Sequence, residues 1–458
     1  MSSPASPTIY LHSPAFFPDR HRAFILEISR RFKLIVPKNS NFEYSPHADI
    51  EFAEDLIGEM SSEALQRRFQ AGKDALLDYA NILYGELARG LGIGSPFESS
   101  LNELEDRLRF AFNAAEVFKR AVSRRKIDLV LLSAEYGVAS RAIRIEAARR
   151  KIACMNIEHG HYVFVATPDL VKDQHDIWAH FTSDFVVLDN HYQTTLMEKF
   201  YDLYNHDRRY ASPKFLPLGT PIDANGAPPI DPDVAARTLG IDRSKYVVTV
   251  MGLWVEPREL LAAFQLQLDE GEYYERVFAA AARCGDRKDI HVIVKMHPAL
   301  GQFPEEGDHE FFRRLAIKYG VDGLSILTTH LPEVLAVSDV VLFSSVSSVM
   351  QDCVLIGKPS AMLIPQSWDY YYHTEKFQQA QEIGRLEQLS FLRTDNDIEQ
   401  FIGRYRSAES RSQFRAKNQE FLEICEMRES SAAEKSRKIG DWIAAEFGGR
   451  GRLEDRVG

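Results

Sequence analysis

The chain has 458 residues, 45% of them hydrophobic and 26% charged, which is a globular composition with enough apolar material for more than one domain. Its formal net charge of −11 argues against a general nucleic-acid-binding protein, because such proteins usually carry a basic surface. Basic residues do cluster between positions 119 and 151. We interpret them as solvated helix ends, with a face for an anionic acceptor or a membrane surface as the alternative.

The first half of the chain alternates short apolar runs with helical stretches. Residues 50–125 have helical periodicity interrupted by glycine and proline, which predicts two or three helices inserted between strands. The other elements are predicted as strands at 8–12, 32–37, 128–133, 152–157 and 185–188 and helices at 20–31, 139–151 and 192–204, and the segment at 215–221 closes this half.

A second series of strands and helices follows residues 222–243, which are rich in Pro, Gly, Asp and Ala as expected of a connection between domains. The strands are predicted at 246–251, 290–295, 324–327, 340–343 and 359–364. Two such series predict an α/β protein with two Rossmann-like domains facing each other across a cleft. The predicted organisation is an N-terminal domain at 1–225 with a helical insertion at about 50–125, a C-terminal domain at 244–400 and a helical tail at 401–458.

Compartment is predicted from cysteines and apolar runs. The four cysteines lie far apart and form no C-x-x-C or zinc spacing, which fits a reducing cytoplasm. Residues 1–7 lack the basic and apolar regions of a signal peptide, and no apolar run reaches the ~18–20 residues that span a bilayer. We expect a cytoplasmic protein whose tail packs back on the domains, with peripheral attachment of that tail to the inner face of the membrane as the alternative.

Two strand ends in the second half carry groups that typically hold a phosphate. His297 and Pro298 follow the strand that ends at Lys295, and Ser347 and Ser348 open a helix after a later strand. Ligands bind at the carboxyl ends of the strands in open α/β sheets. An imidazole beside an ammonium, and hydroxyls at the positive end of a helix, suit a phosphate there, although simple N-capping by the serines is compatible with this. These junctions therefore predict the nucleotide half of an active site.

Two further residues complete this predicted half-site. Gly252 follows the strand at 246–251, where the lack of a side chain lets the backbone approach a ligand. Asp352 lies four residues after Ser348 and on the same helix face, so its carboxylate is a candidate acceptor for ribose hydroxyls; the alternative is a surface acid. No G-x-G-x-x-G or P-loop motif occurs, which disfavours an NAD dehydrogenase and a P-loop ATPase.

Two residues of the first half are candidates for proton transfer. Glu135 and His159 follow predicted strands, so a carboxylate and an imidazole lie where a proton could be taken from an acceptor hydroxyl within hydrogen-bond reach. The alternatives are a helix-start carboxylate for Glu135 and a buried, hydrogen-bonded side chain for His159. Asp395 and Asp397 match the D-x-D motif of metal-dependent transferases, but the helix that follows favours capping. We predict no metal site.

The motifs resemble those of the GT-B glycosyltransferases of bacterial surface polysaccharide biosynthesis, which include capsule-type Kdo transferases, polysialyltransferases and CDP-glycerol glycerophosphotransferases. His297-Pro298 is similar to their His-Pro motif and Ser347-Ser348 to their Ser-Ser motif, which implies that these residues bind the nucleotide and phosphate of the donor. Glu135 lies in a segment similar to the acidic-acidic-Gly motif that supplies a catalytic carboxylate. His159 lies in one similar to the His-Gly motif of the polyol phosphotransferases.

Two departures bear on these assignments. Tyr136 replaces the second acid of the acidic motif, which leaves only Glu135 to act. Glu158 precedes His159 where the polyol phosphotransferases usually have an aromatic residue, which weakens that assignment.

The resemblance implies a metal-independent glycosyltransferase that uses a nucleotide-sugar donor and no cofactor. The favoured donor is a CMP-activated nonulosonic acid, such as a sialic acid, or Kdo, and the acceptor is a hydroxyl of a surface glycan, glycolipid or glycoprotein in, for example, capsule synthesis. Glu135 would be the general base of an inverting reaction, or a carboxylate that stabilises the oxocarbenium-like centre of a retaining one. His159 would orient a substrate. Three alternatives stay open: a CDP-polyol phosphotransferase of teichoic-acid-like synthesis, a nucleotide-sugar 2-epimerase, and a non-catalytic assembly module.

Overall fold

The structure is a computed structural model. It describes residues 6–12, 18–37, 50–53, 69–70, 97–133, 138–157, 183–204, 213–221, 230–252, 270–285, 287–296, 306–344, 348–364, 389–424 and 431–448. Every structural statement below concerns these residues.

Two parallel sheets organise the chain. The first has seven strands in the order β3-β2-β1-β4-β5-β6-β7 and the second six in the order β10-β9-β8-β11-β12-β13. The first comprises β1 (Thr8–His12), β2 (Lys33–Val36), β3 (Ile50–Phe52), β4 (Leu129–Leu132), β5 (Ala153–Ile157), β6 (Phe185–Val187) and β7 (Lys214–Leu216). The second comprises β8 (Tyr246–Met251), β9 (Ile290–Lys295), β10 (Gly323–Leu327), β11 (Val340–Phe343), β12 (Ser360–Leu363) and β13 (Leu389–Leu392).

Helices cover these sheets. They are α1 (Pro18–Arg31), α2 (Phe97–Arg124), α3 (Val138–Arg149), α4 (His191–Tyr204), α5 (Pro232–Leu239), α6 (Glu270–Arg283), α7 (Glu306–Tyr319), α8 (Leu331–Val337), α9 (Ser348–Leu355), α10 (Asp395–Arg404), α11 (Ala408–Ile424) and α12 (Ala432–Phe447), with a 3₁₀ turn at Arg287–Asp289. None of these helices combines the length and the apolar character that crossing a membrane requires.

The central strands are apolar on both faces because helices cover both faces. Every residue of β4 and of β8 is buried. In β1 the side chains alternate: Ile9 and Leu11 join one core, and Tyr10 joins the core on the opposite face. That second core also contains Phe118 of α2 and Ile143 of α3. The predicted strand–helix series is therefore confirmed for these elements.

Two short strands lie where helices were predicted. Ile50–Phe52 opens the region interpreted as helical, yet it pairs in parallel with β2. Leu389–Leu392 pairs in parallel with β12, although the chain after residue 364 was expected to be mostly helical. Both strands lie at a sheet edge. The described part of the insertion contains α2, one helix of 28 residues, and the helical residues 69–70, and the rest of it lies outside the described residues.

The segment read as a connection contains α5. The side chain of Asp231 accepts hydrogen bonds from the N–H groups of Asp233 and Val234, Pro232 occupies the first turn, and Gly240 ends the helix at φ 67°. Its buried face packs on the second sheet through Ala235. Residues typical of loops are here the start and stop signals of a helix.

The C-terminal tail packs on both sheets, as predicted. Phe401 and Tyr405 join the core of the second sheet. Asn418 of α11 donates a hydrogen bond to the carbonyl of Val354 at the end of α9. In α12, however, Ile439 and Ile443 belong to the core of the first sheet. The last described helix therefore packs on the first sheet, although it follows the second sheet in sequence.

Candidate functional site

Each sheet has one point where the chain reverses its direction of winding. In the second sheet the chain runs outward from β8 through β9 to β10 and then returns to β11, which pairs with β8 on its other side. In the first sheet the same reversal separates β1 from β4. Helices then lie on opposite faces at either side of the reversal, and a crevice opens beyond the carboxyl ends of the two strands. Ligand-binding groups are therefore expected at these ends.

Gly252 is tightly packed at the carboxyl end of β8. Its N–H donates to the carbonyl of Lys295 at 2.7 Å. A Cβ at this position would lie 3.1 Å from Met296 Cα, 3.1 Å from Tyr274 Oη and 3.2 Å from the Lys295 carbonyl oxygen. The lack of a side chain thus lets the ends of β8 and β9 come together. Close approach of Gly252 to a ligand stays a prediction.

Lys295 is buried, with 3% of its surface exposed. Its ammonium donates to the carbonyl of Met296 at 2.8 Å and to that of Thr328, just beyond β10, at 3.0 Å. These bonds replace water around the charge and tie together the ends of β9 and β10. The predicted contact of Lys295 with a phosphate is not tested by this arrangement, which gives the residue a structural role at the same edge.

Helix α9 begins at Ser348, five residues beyond the last residue of β11. Asp352, one turn later, is 2% exposed, so the surface-acid interpretation of this residue is wrong. Its hydrogen bond to a ribose stays a prediction. Ser344 directly follows β11 and was not singled out from the sequence. Its hydroxyl is buried and has no hydrogen-bond partner among the described residues.

The corresponding edge of the first sheet carries His12. This residue ends β1 opposite Leu132 of β4, and Leu132 in turn lies opposite Asn156 of β5. His12 is 6% exposed and Asn156 is fully buried. Burial lowers the pKa of His12 to about 4, so its imidazole is neutral at physiological pH. His12 was assigned only to a strand, because its place beside β4 depends on strand order.

Several predicted site residues lie outside the described residues: Glu135, His159, His297, Pro298 and Ser347. Ser348 is the first residue of α9. Topology still locates the strands that precede these residues. Glu135 follows β4 and His159 follows β5, which are neighbours in the first sheet, and His297 follows β9 of the second sheet. Their roles remain predictions.

The D-x-D match is a helix cap, as predicted. The hydroxyl of Thr394 accepts from the N–H of Asp397 at 3.2 Å, and the Asp397 carboxylate accepts from the N–H of Thr394 at 2.8 Å. Burial opposes ionisation of Asp397, but hydrogen bonds from the N–H groups of Thr394 and Arg393 outweigh it and lower its pKa. Asp395 pairs with Arg276 at 2.8 Å. Both carboxylates are therefore engaged within the protein.

Comparisons with known proteins support the fold. No protein-family model and no curated protein sequence matches the chain. The solved structure of S. aureus MnaA with UDP is 12% identical and aligns over 96% of this chain and 95% of that one, with a TM-score of 0.51. A UDP-N-acetylglucosamine 2-epimerase is 11% identical over 97% of each chain, with a TM-score of 0.51. Identities this low show a shared fold alone. The predicted GT-B architecture of two Rossmann-like domains is confirmed.

Proposed function

We propose that the chain is a GT-B glycosyltransferase that takes a sugar from a nucleotide donor and transfers it to a hydroxyl acceptor in surface-glycan synthesis. The favoured donor is a CMP-activated nonulosonic acid or Kdo. The observation that supports this is the reversal point of the second sheet. Gly252 follows β8, Met296 follows β9 and Ser344 follows β11, and these three strands are adjacent, so their carboxyl ends share one edge.

The proposed chemistry separates into two halves. At the second sheet, His297 and the amino end of α9 would stabilise the charge that develops on the leaving phosphate. At the first sheet, Glu135 would accept the proton of the acceptor hydroxyl. The oxygen of that hydroxyl would at the same time form a bond to the anomeric carbon of the donor sugar. The bond from that carbon to the phosphate oxygen breaks, and the nucleotide leaves with the electron pair. His159 would orient the acceptor or the donor.

A second candidate is epimerisation of a nucleotide sugar. It is favoured by the likeness to a UDP-N-acetylglucosamine 2-epimerase and to a structure that holds UDP. This reaction needs no acceptor, so it predicts that a nucleotide sugar is converted when it is the only substrate. A transferase requires a second substrate and releases the nucleotide.

The first experiment is a thermal-shift titration with CMP, CDP, UDP and GDP, with and without magnesium. A ligand at about 100 times its Kd stabilises the folded state by about 2.7 kcal/mol. Selective stabilisation by CMP, lost in His297→Ala and kept in His191→Ala, supports the proposal; His191 is an exposed residue at the start of α4. We expect the same shift in EDTA, because metal independence is predicted.

The other results of the titration distinguish the alternative functions. Selective stabilisation by CDP would favour the polyol phosphotransferase, and stabilisation by UDP the epimerase or a hexosyltransferase. No response to any nucleotide would contradict the proposal and favour a non-catalytic module. Where a nucleotide binds, Glu135→Ala should keep its affinity but lower the transfer rate about 10²-fold or more, the scale of a lost general base.

A further inference from the structure

His12 occupies a position where the first sheet is expected to meet a ligand. It is the last residue of β1, on the strand that lies beside β4 at the reversal point. Glu135, the proposed base, lies three residues beyond Leu132, which is the register partner of His12. The imidazole therefore belongs to the strand end next to the loop in which the proposed base lies.

The His12 side chain is buried without a partner for one of its polar atoms. Its Nε2 has no hydrogen-bond partner among the described residues, and only 6% of the residue's surface is exposed. Leaving a buried donor or acceptor unsatisfied destabilises the folded protein, so buried polar atoms usually have a hydrogen-bond partner or a function. The other histidine buried in a strand, His291, is satisfied: its Nε2 lies 2.9 Å from the hydroxyl of Ser325 on the adjacent strand.

The uncharged surroundings of His12 favour a hydroxyl group over an anion as the partner of its Nε2. The residues that follow it in register across the described strands β4 to β7 are Leu132, Asn156, Val186 and Phe215, and none of them carries a charge. An anionic group placed against a neutral imidazole in these surroundings would lose its hydration without gaining a counter-charge. A hydroxyl loses less, and it can donate or accept, so it pairs with Nε2 in either tautomer. Sugars supply such hydroxyls.

We propose that His12 is a substrate-contacting residue that hydrogen-bonds to a hydroxyl of a sugar, in the donor or in the acceptor. The inference rests on the proposed function, because it assumes that a sugar reaches this edge. It adds a binding group to the first sheet that does not depend on the roles of Glu135 and His159.

The test compares His12→Phe, which removes the hydrogen-bonding atoms, with His12→Gln, which restores an amide group. His291→Phe is the matched control, because it removes a buried strand histidine of the other sheet. The probes are CMP, UDP, CMP-N-acetylneuraminate, UDP-N-acetylglucosamine and a panel of soluble glycosides as acceptors. We expect His12→Phe to bind the nucleotides within about twofold of the unmutated protein and to lose about tenfold or more in a step that needs the sugar. His12→Gln should recover part of the loss.

The two sources of the hydroxyl give different results. If it belongs to the donor, His12→Phe weakens binding of the nucleotide sugar relative to the nucleotide alone. If it belongs to the acceptor, binding of both is unchanged and the KM for the glycoside rises. Equal behaviour of His12→Phe and His291→Phe in every measurement would overturn the inference while leaving the proposed function intact.

A measurement on the unmutated protein guards against a variant that does not fold. With ¹⁵N-labelled histidine, the His12 imidazole signal, assigned by its loss in His12→Gln, should move with the nucleotide sugar or with the glycoside and not with the nucleotide alone. A signal that responds to neither sugar overturns the inference. Failure of every nucleotide to bind overturns the proposed function, and the inference with it.

Discussion

The ammonium of Lys435 lies 3.2 Å from the carboxylate of Asp189, and this pair joins α12 to the end of β6. Both side chains are buried, with 12% and 8% of their surface exposed. The same carboxylate oxygen accepts from the N–H of Thr220 at 2.9 Å. Gly219 has φ 92°, and a Cβ there would lie 2.5 Å from Lys435 Cγ. The loop after β7 is therefore shaped around the lysine side chain.

We expect Asp189→Ala to destabilise the protein by ~3–5 kcal/mol, because it removes one partner of a buried ion pair and leaves the other charge uncompensated. Lys435→Met should cost less, since the N–H of Thr220 still satisfies the carboxylate. The measurement is the urea midpoint, together with hydrogen exchange of residues 432–447, which should lose protection first.

Lys438→Met is the matched control on the same helix. Lys438 pairs with Glu434 at 3.2 Å, but both side chains are about half exposed. Exposed pairs contribute ~0–1 kcal/mol, so this variant should unfold at nearly the original urea concentration. Equal losses of stability in Lys438→Met and Asp189→Ala would show that the buried pair of Lys435 and Asp189 stabilises the protein no more than the exposed pair does.

Gly252→Ala should lower the free energy of unfolding by ~1–3 kcal/mol, the usual cost of overpacking. Two of the three atoms that crowd the added methyl group are backbone atoms of Lys295, which ends β9, and of Met296, which follows it, so they move only with the strand. Gly403→Ala is the control, because no atom lies within 4 Å of a Cβ at that position of α10. That change should be neutral or stabilising, as alanine favours helices.

Nucleotide affinity gives a second measurement on the same pair of variants. If the ends of β8 and β9 form the nucleotide site, Gly252→Ala should weaken binding of the nucleotide identified by thermal shift, and Gly403→Ala should not. Unchanged affinity in a folded Gly252→Ala protein would place the nucleotide elsewhere.

The central strands could be predicted because a strand that is buried on both faces consists of consecutive apolar residues, and such a run is visible in the sequence. Leu129–Leu132 is such a run, and Tyr246–Met251 departs from one only at Thr249. The edge strands could not be predicted in this way. Ile50–Phe52 has three residues, and its middle residue, Glu51, pairs with Arg125 at 2.8 Å. An edge strand pairs on one side only, so a short run with a charge in it is stabilised by partners that sequence patterns do not reveal.

The candidate site was predictable to a different degree at each residue. Capping by Asp397 follows from neighbours in sequence, so the local pattern sufficed. The carbonyl partners of Lys295 include Thr328, which is brought there by the pairing of β9 with β10. The position of His12 depends on β1 lying beside β4. Such contacts between distant segments become readable only once the strand order is known.

Lys358→Met should destabilise the protein by ~1–3 kcal/mol, because it leaves two buried carbonyl groups without a donor. The Lys358 ammonium donates to the carbonyls of Ala336 and Ser338, at 3.0 Å and 2.6 Å, where α8 ends. Burial lowers the pKa of this ammonium to about 8. Lys417→Met, on the exposed face of α11, is the control for loss of a positive charge. Equal melting temperatures for the two variants would contradict a role for these hydrogen bonds.

Stability should fall as the pH drops from about 6.5 to about 4, because two histidines are buried in neutral form. Burial lowers the pKa of both His12 and His291 from 6.5 to about 4. Within this window the unfolded chain binds protons that the folded chain does not, so acid favours unfolding. Above pH 6.5 neither state is protonated and the full stability is present.

Each histidine is expected to account for up to about 3 kcal/mol of this loss. Melting temperatures measured between pH 7.5 and 5 avoid most of the carboxylate titrations. The slope against pH should be shallower in His12→Phe and in His291→Phe, and shallowest in the double variant, because the sites lie in different sheets and should act independently. His191→Ala is the control for the loss of an exposed histidine. A double variant with an unaltered slope would mean that these imidazoles bind protons equally well in the folded and unfolded chains.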